Sequence, residues 1–161
     1  MLANRSYDAV ISTPFQNFKL ALHTADNKLS RIEFVTLQHA EISARNCTAE
    51  AVVQQLMAYF NDPTFPFSLP LKSDGTPFQQ QVWAAMCGIK AGQTATYGDL
   101  AKRLGSAPRA VGGACRVNPV PIVVPCHRVV SAAGIGGFLG ASAGDGINIK
   151  RCLLEHERRQ H

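Results

Sequence analysis

Apolar and polar residues alternate along Phe18-Lys19-Leu20-Ala21-Leu22-His23, and a second strand-like run follows at Leu29-Ser30-Arg31-Ile32-Glu33-Phe34-Val35. A period of two residues is the mark of a strand with one face on a core. Asp26-Asn27 supplies a turn between the runs, so residues 18–35 read as a hairpin, with Val10-Ile11-Ser12 as an earlier strand. From Thr48 onward the period lengthens. Val52, Val53, Leu56, Tyr59 and Phe60 recur at helical spacing, which predicts a helix over 49–60. Pro63, Pro66, Pro70, Gly75 and Pro77 then interrupt all periodicity. That stretch reads as a connection between two halves, dividing the chain into residues 1–72 and 73–161.

The second half is helical in its rhythm. Thr76 can cap a helix that Pro77 opens, and Phe78, Val82, Trp83 and Met86 form its apolar face. Residues 88–92, with a glycine at each end, stop it. Thr96 with Asp99 makes a capping box for a helix whose face is Tyr97, Leu100, Ala101 and Leu104, ended by Gly105. A second cap-and-proline, Ser106-Ala107-Pro108, starts another helix expected to reach about Asn118. Helix, short glycine turn, helix is the helix-turn-helix pattern. The second helix carries Ala110, Gly112, Gly113 and Ala114, and each glycine costs about 1 kcal/mol against alanine. Two readings explain such a slim face: close packing against another helix, or entry into a narrow groove with Arg109 and Arg116 at the ends for phosphate or base contacts.

Beyond it lies Val117-Asn118-Pro119-Val120-Pro121-Ile122-Val123-Val124-Pro125-Cys126-His127-Arg128-Val129-Val130. Its prolines forbid a regular helix, and Ile122-Val123-Val124 reads as a short buried strand delivering Cys126 and His127. Residues 131–146 hold six glycines and read as a mobile loop that could cover the cysteine. A closing helix runs from Ile147 to about Arg159.

Composition narrows the chemistry. With 46% hydrophobic and 17% charged residues in 161, the chain has material for a real core. It shows no run of transmembrane length, and no apolar signal core follows Met1–Arg5, so the expectation is a cytoplasmic protein with no membrane partner. Five cysteines, without a C-x-x-C pair, argue against a disulfide framework and against a zinc site. A free thiol nucleophile fits that usage, and neither metal nor cofactor is expected. A net charge of +5 is by itself weak evidence for a nucleic-acid partner. A cysteine attacks as thiolate and needs a base nearby. His127 is adjacent, but neighbours in an extended segment face opposite ways, so a relay requires a turn or a bridging water there. An acid to orient the imidazole could be Asp99, Asp145, Glu155 or Glu157, and spacing does not choose among them.

The run Asn118-Pro119-Val120-Pro121-Ile122 to Pro125-Cys126-His127-Arg128-Val129-Val130 resembles the active-site signature of the O6-alkylguanine-DNA alkyltransferases. The resemblance extends to Phe78–Trp83, Tyr97–Ala101, Arg109–Ala114, Gly137-Phe138 and Lys150–Glu157, in the family's order. It implies an α+β protein: a small ribonuclease-H-like N-terminal sheet domain, then a helical C-terminal domain with the helix-turn-helix. It also implies a monomer that binds the minor groove of double-stranded DNA and moves an alkyl group from the O6 of guanine, or O4 of thymine, onto its own Cys126. His127 would deprotonate the thiol through a water and Glu157 would orient the histidine. Tyr97, Val129, Lys150, Phe138 and Leu139 would surround the base. Arg109 would take the place of the flipped nucleotide, with Ala110, Gly112, Gly113 and Arg116 along the DNA, and Asn118 would tie the helix-turn-helix to the acceptor segment. The loop from Leu139 to Gly146 is about five residues longer than in the family pattern, and Phe138 stands where a tyrosine is frequent. A non-catalytic alkyltransferase-like DNA binder is the competing reading, and such members replace the cysteine that is present here.

Overall fold

The computed structural model describes residues 6–72, 74–140 and 145–159. The chain divides into two compact units, one formed by the residues up to Asn61 with Phe65–Lys72, the other by the remainder.

In the first unit three antiparallel strands, β1 (Ala9–Ser12), β2 (Lys19–Ala25) and β3 (Lys28–Val35), lie in the order β1-β2-β3. The hairpin turn is Asp26-Asn27, with both residues at positive φ (53° and 59°). That is the pair of left-handed positions a two-residue hairpin needs, and Asn and Asp tolerate them better than other side chains. The alternation along β2 breaks at Leu20-Ala21-Leu22, where all three residues are fully buried. Ala21 joins Tyr7 and Val10 in a second apolar cluster with Val35 and Ile42, so this stretch of the sheet is covered on both faces. Helix α1 (Cys47–Asn61) packs against β2 and β3 and buries Val52, Leu56 and Tyr59. It begins before the predicted residue 49 because Asn46 caps it, its Oδ1 accepting from the Ala49 N–H at 2.8 Å. The proline-rich connection is only partly a connection. Leu29 N–H donates to Pro70 O and Lys72 N–H to Leu29 O, both at 2.9 Å, so residues 70–72 pair with the start of β3.

The second unit is built from α2 (Pro77–Cys87), β4 (Ala95–Thr96), α3 (Tyr97–Leu104), α4 (Pro108–Arg116), β5 (Val129–Val130) and α5 (Asp145–Arg158). The capping boxes form at Thr76/Gln79 and Thr96/Asp99, and Gly105 ends α3 in the left-handed conformation. Helix α4 differs from expectation at both ends. Its cap is Ala107, whose methyl cannot accept a hydrogen bond, and it stops at Arg116 because the Asn118 side chain is committed to the following loop. Trp83 is half-buried and donates from Nε1 to Ala114 O at 2.9 Å, satisfying a carbonyl in the last turn of α4 and fixing that helix against α2. A two-residue parallel ladder, Ala95 with Val129 and Thr96 with Val130, brings the start of α3 beside the acceptor segment. No helix among the described residues is long and apolar enough to cross a membrane.

Candidate active site

The segment carrying Cys126 is not a strand. Residues 120–129 are buried throughout, yet Ile122 sits at φ 76° and Pro121 bridges back to Val124, so the β-branched run is a tight turn. Asn118 enforces it: Nδ2 donates to Val124 O at 2.8 Å, and Oδ1 accepts from Val120 N–H at 3.1 Å. A positive φ at a β-branched residue costs energy, which these paired hydrogen bonds offset. A single 3-10 turn, Cys126–Arg128, follows directly. Here the backbone winds rather than extends, so consecutive side chains no longer face opposite ways.

Cys126 lies in a cavity of about 570 Å³, whose wall includes Tyr97 from α3 and Arg109, Gly112, Gly113, Cys115 and Arg116 from α4. Residues 137–140, including Phe138 and Leu139, close the other side. Of the residues expected around the base, the structure therefore gathers Tyr97, Phe138 and Leu139 with Cys126. It does not bring Val129 or Lys150 to the cavity surface. Both are buried behind it, where Lys150 Nζ donates to Val129 O (2.7 Å) and Gly137 O (2.8 Å). A fully buried ammonium needs acceptors, and these two carbonyls supply them. Ala110 is exposed on α4 outside the cavity wall. Residues 141–144 of the lengthened loop lie outside the described residues. Gly136, at φ 77°, brings its backbone against the ring of Tyr97, where an added Cβ would stand 3.1 Å from Cε2. Tyr97 Oη reaches toward Gly137 O at 3.5 Å.

The glycines of α4 distinguish between the two readings of its slim face. A Cβ at Gly113 would meet nothing within 4 Å, and one at Gly112 would only touch the Tyr97 ring at 4.0 Å. Packing inside this chain does not require either glycine. The small face is turned toward the open cavity and solvent.

Behind Cys126 is a cluster of buried ionisable groups. His127 is fully buried; its Nε2 donates to Glu157 Oε2 at 2.7 Å, and its Nδ1 has no hydrogen-bond partner. Arg128 grips the same carboxylate with two bonds of 2.9 Å, Nε to Oε1 and a terminal nitrogen to Oε2, and donates to Ile89 O at 2.6 Å. Burial works to raise the Glu157 pKa, but the hydrogen bonds and charges of His127 and Arg128 outweigh it and hold the carboxyl well below its ordinary range. Burial lowers the pKa of His127, against the opposing pull of Glu157, so the ring is neutral at pH 7. A neutral ring that donates from Nε2 carries its lone pair on Nδ1. Burial pushes the Cys126 thiol up to about 11, and Asn118 and the Lys150 charge draw it only part of the way back. Lys150 is itself lowered to about 8 by burial. At neutral pH the cluster thus holds a thiol, an accepting imidazole and an ionised carboxylate.

Arg128 is the residue that the sequence reading overlooked. Its signal was present: a guanidinium inside an apolar run cannot be buried without an acid, and only a carboxylate within reach of the same turn can serve.

Residues 77–159 match the family model of the DNA-binding domain of 6-O-methylguanine DNA methyltransferase. The chain belongs to the O6-alkylguanine-DNA alkyltransferase family. It is 47% identical over 109 residues to the methylated-DNA–protein-cysteine methyltransferase of Mycobacterium bovis, a match covering 66% of this chain and 63% of that relative. The constitutive methylated-DNA–protein-cysteine methyltransferase of Bacillus subtilis is 46% identical over 125 residues, covering 76% of this chain and 73% of the relative. Among solved structures, the O6-methylguanine methyltransferase of Mycobacterium tuberculosis superposes with a TM-score of 0.77 at 35% identity, covering 94% of this chain and 92% of that one. A structure of the same organism's protein in complex with DNA gives 0.74 at 36% identity, with the same coverage. The α+β architecture is that of these neighbours.

Proposed function

We propose that this protein repairs DNA by taking a methyl or other alkyl group from the O6 of guanine, or O4 of thymine, irreversibly onto Cys126. The observation that carries the reading is the arrangement on one turn: Cys126 in a cavity beside the glycine face of α4, with His127 behind it oriented by Glu157. The thiol proton passes through one water to His127 Nδ1, and the imidazolium that forms is stabilised by the Glu157 carboxylate. The sulfur lone pair then attacks the alkyl carbon. The S–C bond forms as the C–O6 bond breaks, and the base leaves with its negative charge met by a proton shared from Tyr97. The product is a thioether, which no thiol exchange reverses, so each chain acts once.

The O6 atom of a stacked base cannot reach a buried sulfur, so the nucleotide must be turned out of the duplex. Helix α4 would lie in the minor groove as a monomer, its small face allowing close approach, with Arg109 filling the place of the extruded base and Arg116 on the backbone. Repair needs no base code, and the degenerate minor groove suffices. The cytoplasm is the proposed compartment. Intact mass measured after incubation with a duplex containing O6-methylguanine tests this reading. A gain of one methyl per chain, lost in Cys126→Ala, is expected; DNA binding with an unchanged mass contradicts it.

A further inference from the structure

The cavity holds a second thiol that the proposed chemistry does not use. Cys115, in the last turn of α4, lines the same wall as Tyr97 and Cys126. Its sulfur is backed on the other side by Met86 of α2, with Sγ–Sδ at 3.6 Å and Met86 fully buried.

We infer that Cys115 is a specificity-determining residue, and that its small side chain sets how large an alkyl group can lie between the base and Cys126. The inference rests on the alkyl transfer proposed above. In that reaction the transferred carbon sits between O6 and the Cys126 sulfur, and the rest of the alkyl group must extend along the walls nearest that sulfur. Tyr97 is a large, ring-shaped wall held by the loop at Gly136, and Phe138 is a buried one. Apart from Cys126 itself, Cys115 is the smallest of the lining residues other than glycine. Because Met86 occupies the space behind it, a longer side chain at position 115 cannot retreat into the core and must project into the cavity. A shorter one opens the wall in front of Met86. Burial keeps the Cys115 thiol protonated, with a pKa raised to about 12, so it acts as an apolar wall and not as a competing nucleophile.

One experiment tests this. Single-turnover transfer is measured from O6-methylguanine and O6-benzylguanine, each in the same oligonucleotide duplex, for the wild type, Cys115→Ala and Cys115→Leu, with the alkylated residue located by peptide mapping. One or two methylenes in a packed pocket alter discrimination by about tenfold or more. The benzyl-to-methyl rate ratio is therefore expected to fall about tenfold in Cys115→Leu and to rise several-fold in Cys115→Ala, with the alkyl group on Cys126 throughout. The ratio is internal to each variant, so partial unfolding of the overpacked Leu form does not mimic the effect, and the Ala variant stands independently of it. A ratio within about twofold of wild type in both variants overturns the inference, as does recovery of the alkyl group on Cys115. If the wild type takes up no alkyl group at all, it is the proposed function that fails.

Discussion

The two units bury different kinds of residue. Among the described residues, the first seals in Leu20, Leu22, Leu29, Val52, Leu56 and Tyr59, and its ion pairs, such as His23–Glu33 and Lys72–Asp26, keep some contact with solvent. The buried polar and charged residues among those described, Asn118, His127, Arg128, Lys150 and Glu157, all lie in the second. Buried charge contributes little to stability even when it is well paired, because desolvation offsets the attraction. A unit built for cohesion would place hydrocarbon where Glu157 and Arg128 stand. The second unit instead holds a thiol, an imidazole and a carboxylate in fixed positions and accepts that cost.

The contrast can be broken most severely at Arg128. Arg128→Met leaves a buried carboxylate half-paired and the Ile89 carbonyl without its donor, and should cost about 3–5 kcal/mol in urea unfolding. A loss below about 1 kcal/mol would mean the cluster is far better hydrated than its burial implies. In the first unit, Leu22→Ala should cost about 2–5 kcal/mol through a cavity alone. That loss should be the same at neutral and at mildly acidic pH, since no ionisable group is involved.

Acid should separate the two kinds of core. His127 has its folded pKa lowered from an ordinary 6.5, so the unfolded chain takes up that proton first and stability falls as the pH drops through 6.5. Glu157 is likewise depressed from 4.5, so its contribution is present above that value and is lost as the pH falls further. Melting temperature should therefore decline in two stages on acidification, and His127→Gln should flatten the first. An unchanged first stage in that variant would assign it elsewhere.

The smallest expected effect carries its own sign. Gly113→Ala meets no neighbour inside the chain, so it should raise stability by about 0.5–1 kcal/mol. The same change should weaken binding to duplex DNA in a titration. Unaltered affinity would show that this face of α4 does not approach the groove.

Local rules carried much of the architecture. The Asp26-Asn27 turn, the cap at Thr76, the capping box at Thr96 and the stop at Gly105 depend on residues acting within a few positions of themselves, and these were readable. The acceptor segment was misread where long-range contacts prevailed. Ile122-Val123-Val124 has the composition of a strand, but Asn118 bends it into a turn. Residues 70–72 have the composition of a linker, but β3 offers them a free edge. At the site, Cys126 and His127 stood out by type and position. Resemblance, not spacing, singled out Glu157; the need of Arg128 for an acid was readable from its apolar neighbours, but which acid meets it is decided only when α5 folds against the turn.

The central claim is that the buried cluster serves to take a proton from Cys126. His127→Gln tests it with the Glu157–Arg128 pair left in place. Single-turnover methyl transfer near neutral pH should fall by about 10²–10⁴-fold, the range for loss of a general base. It should then recover as the pH rises toward the thiol's own value of about 11. Because His127 is fully buried, DNA affinity should not change with it. A transfer rate within about twofold of wild type at neutral pH would contradict the account.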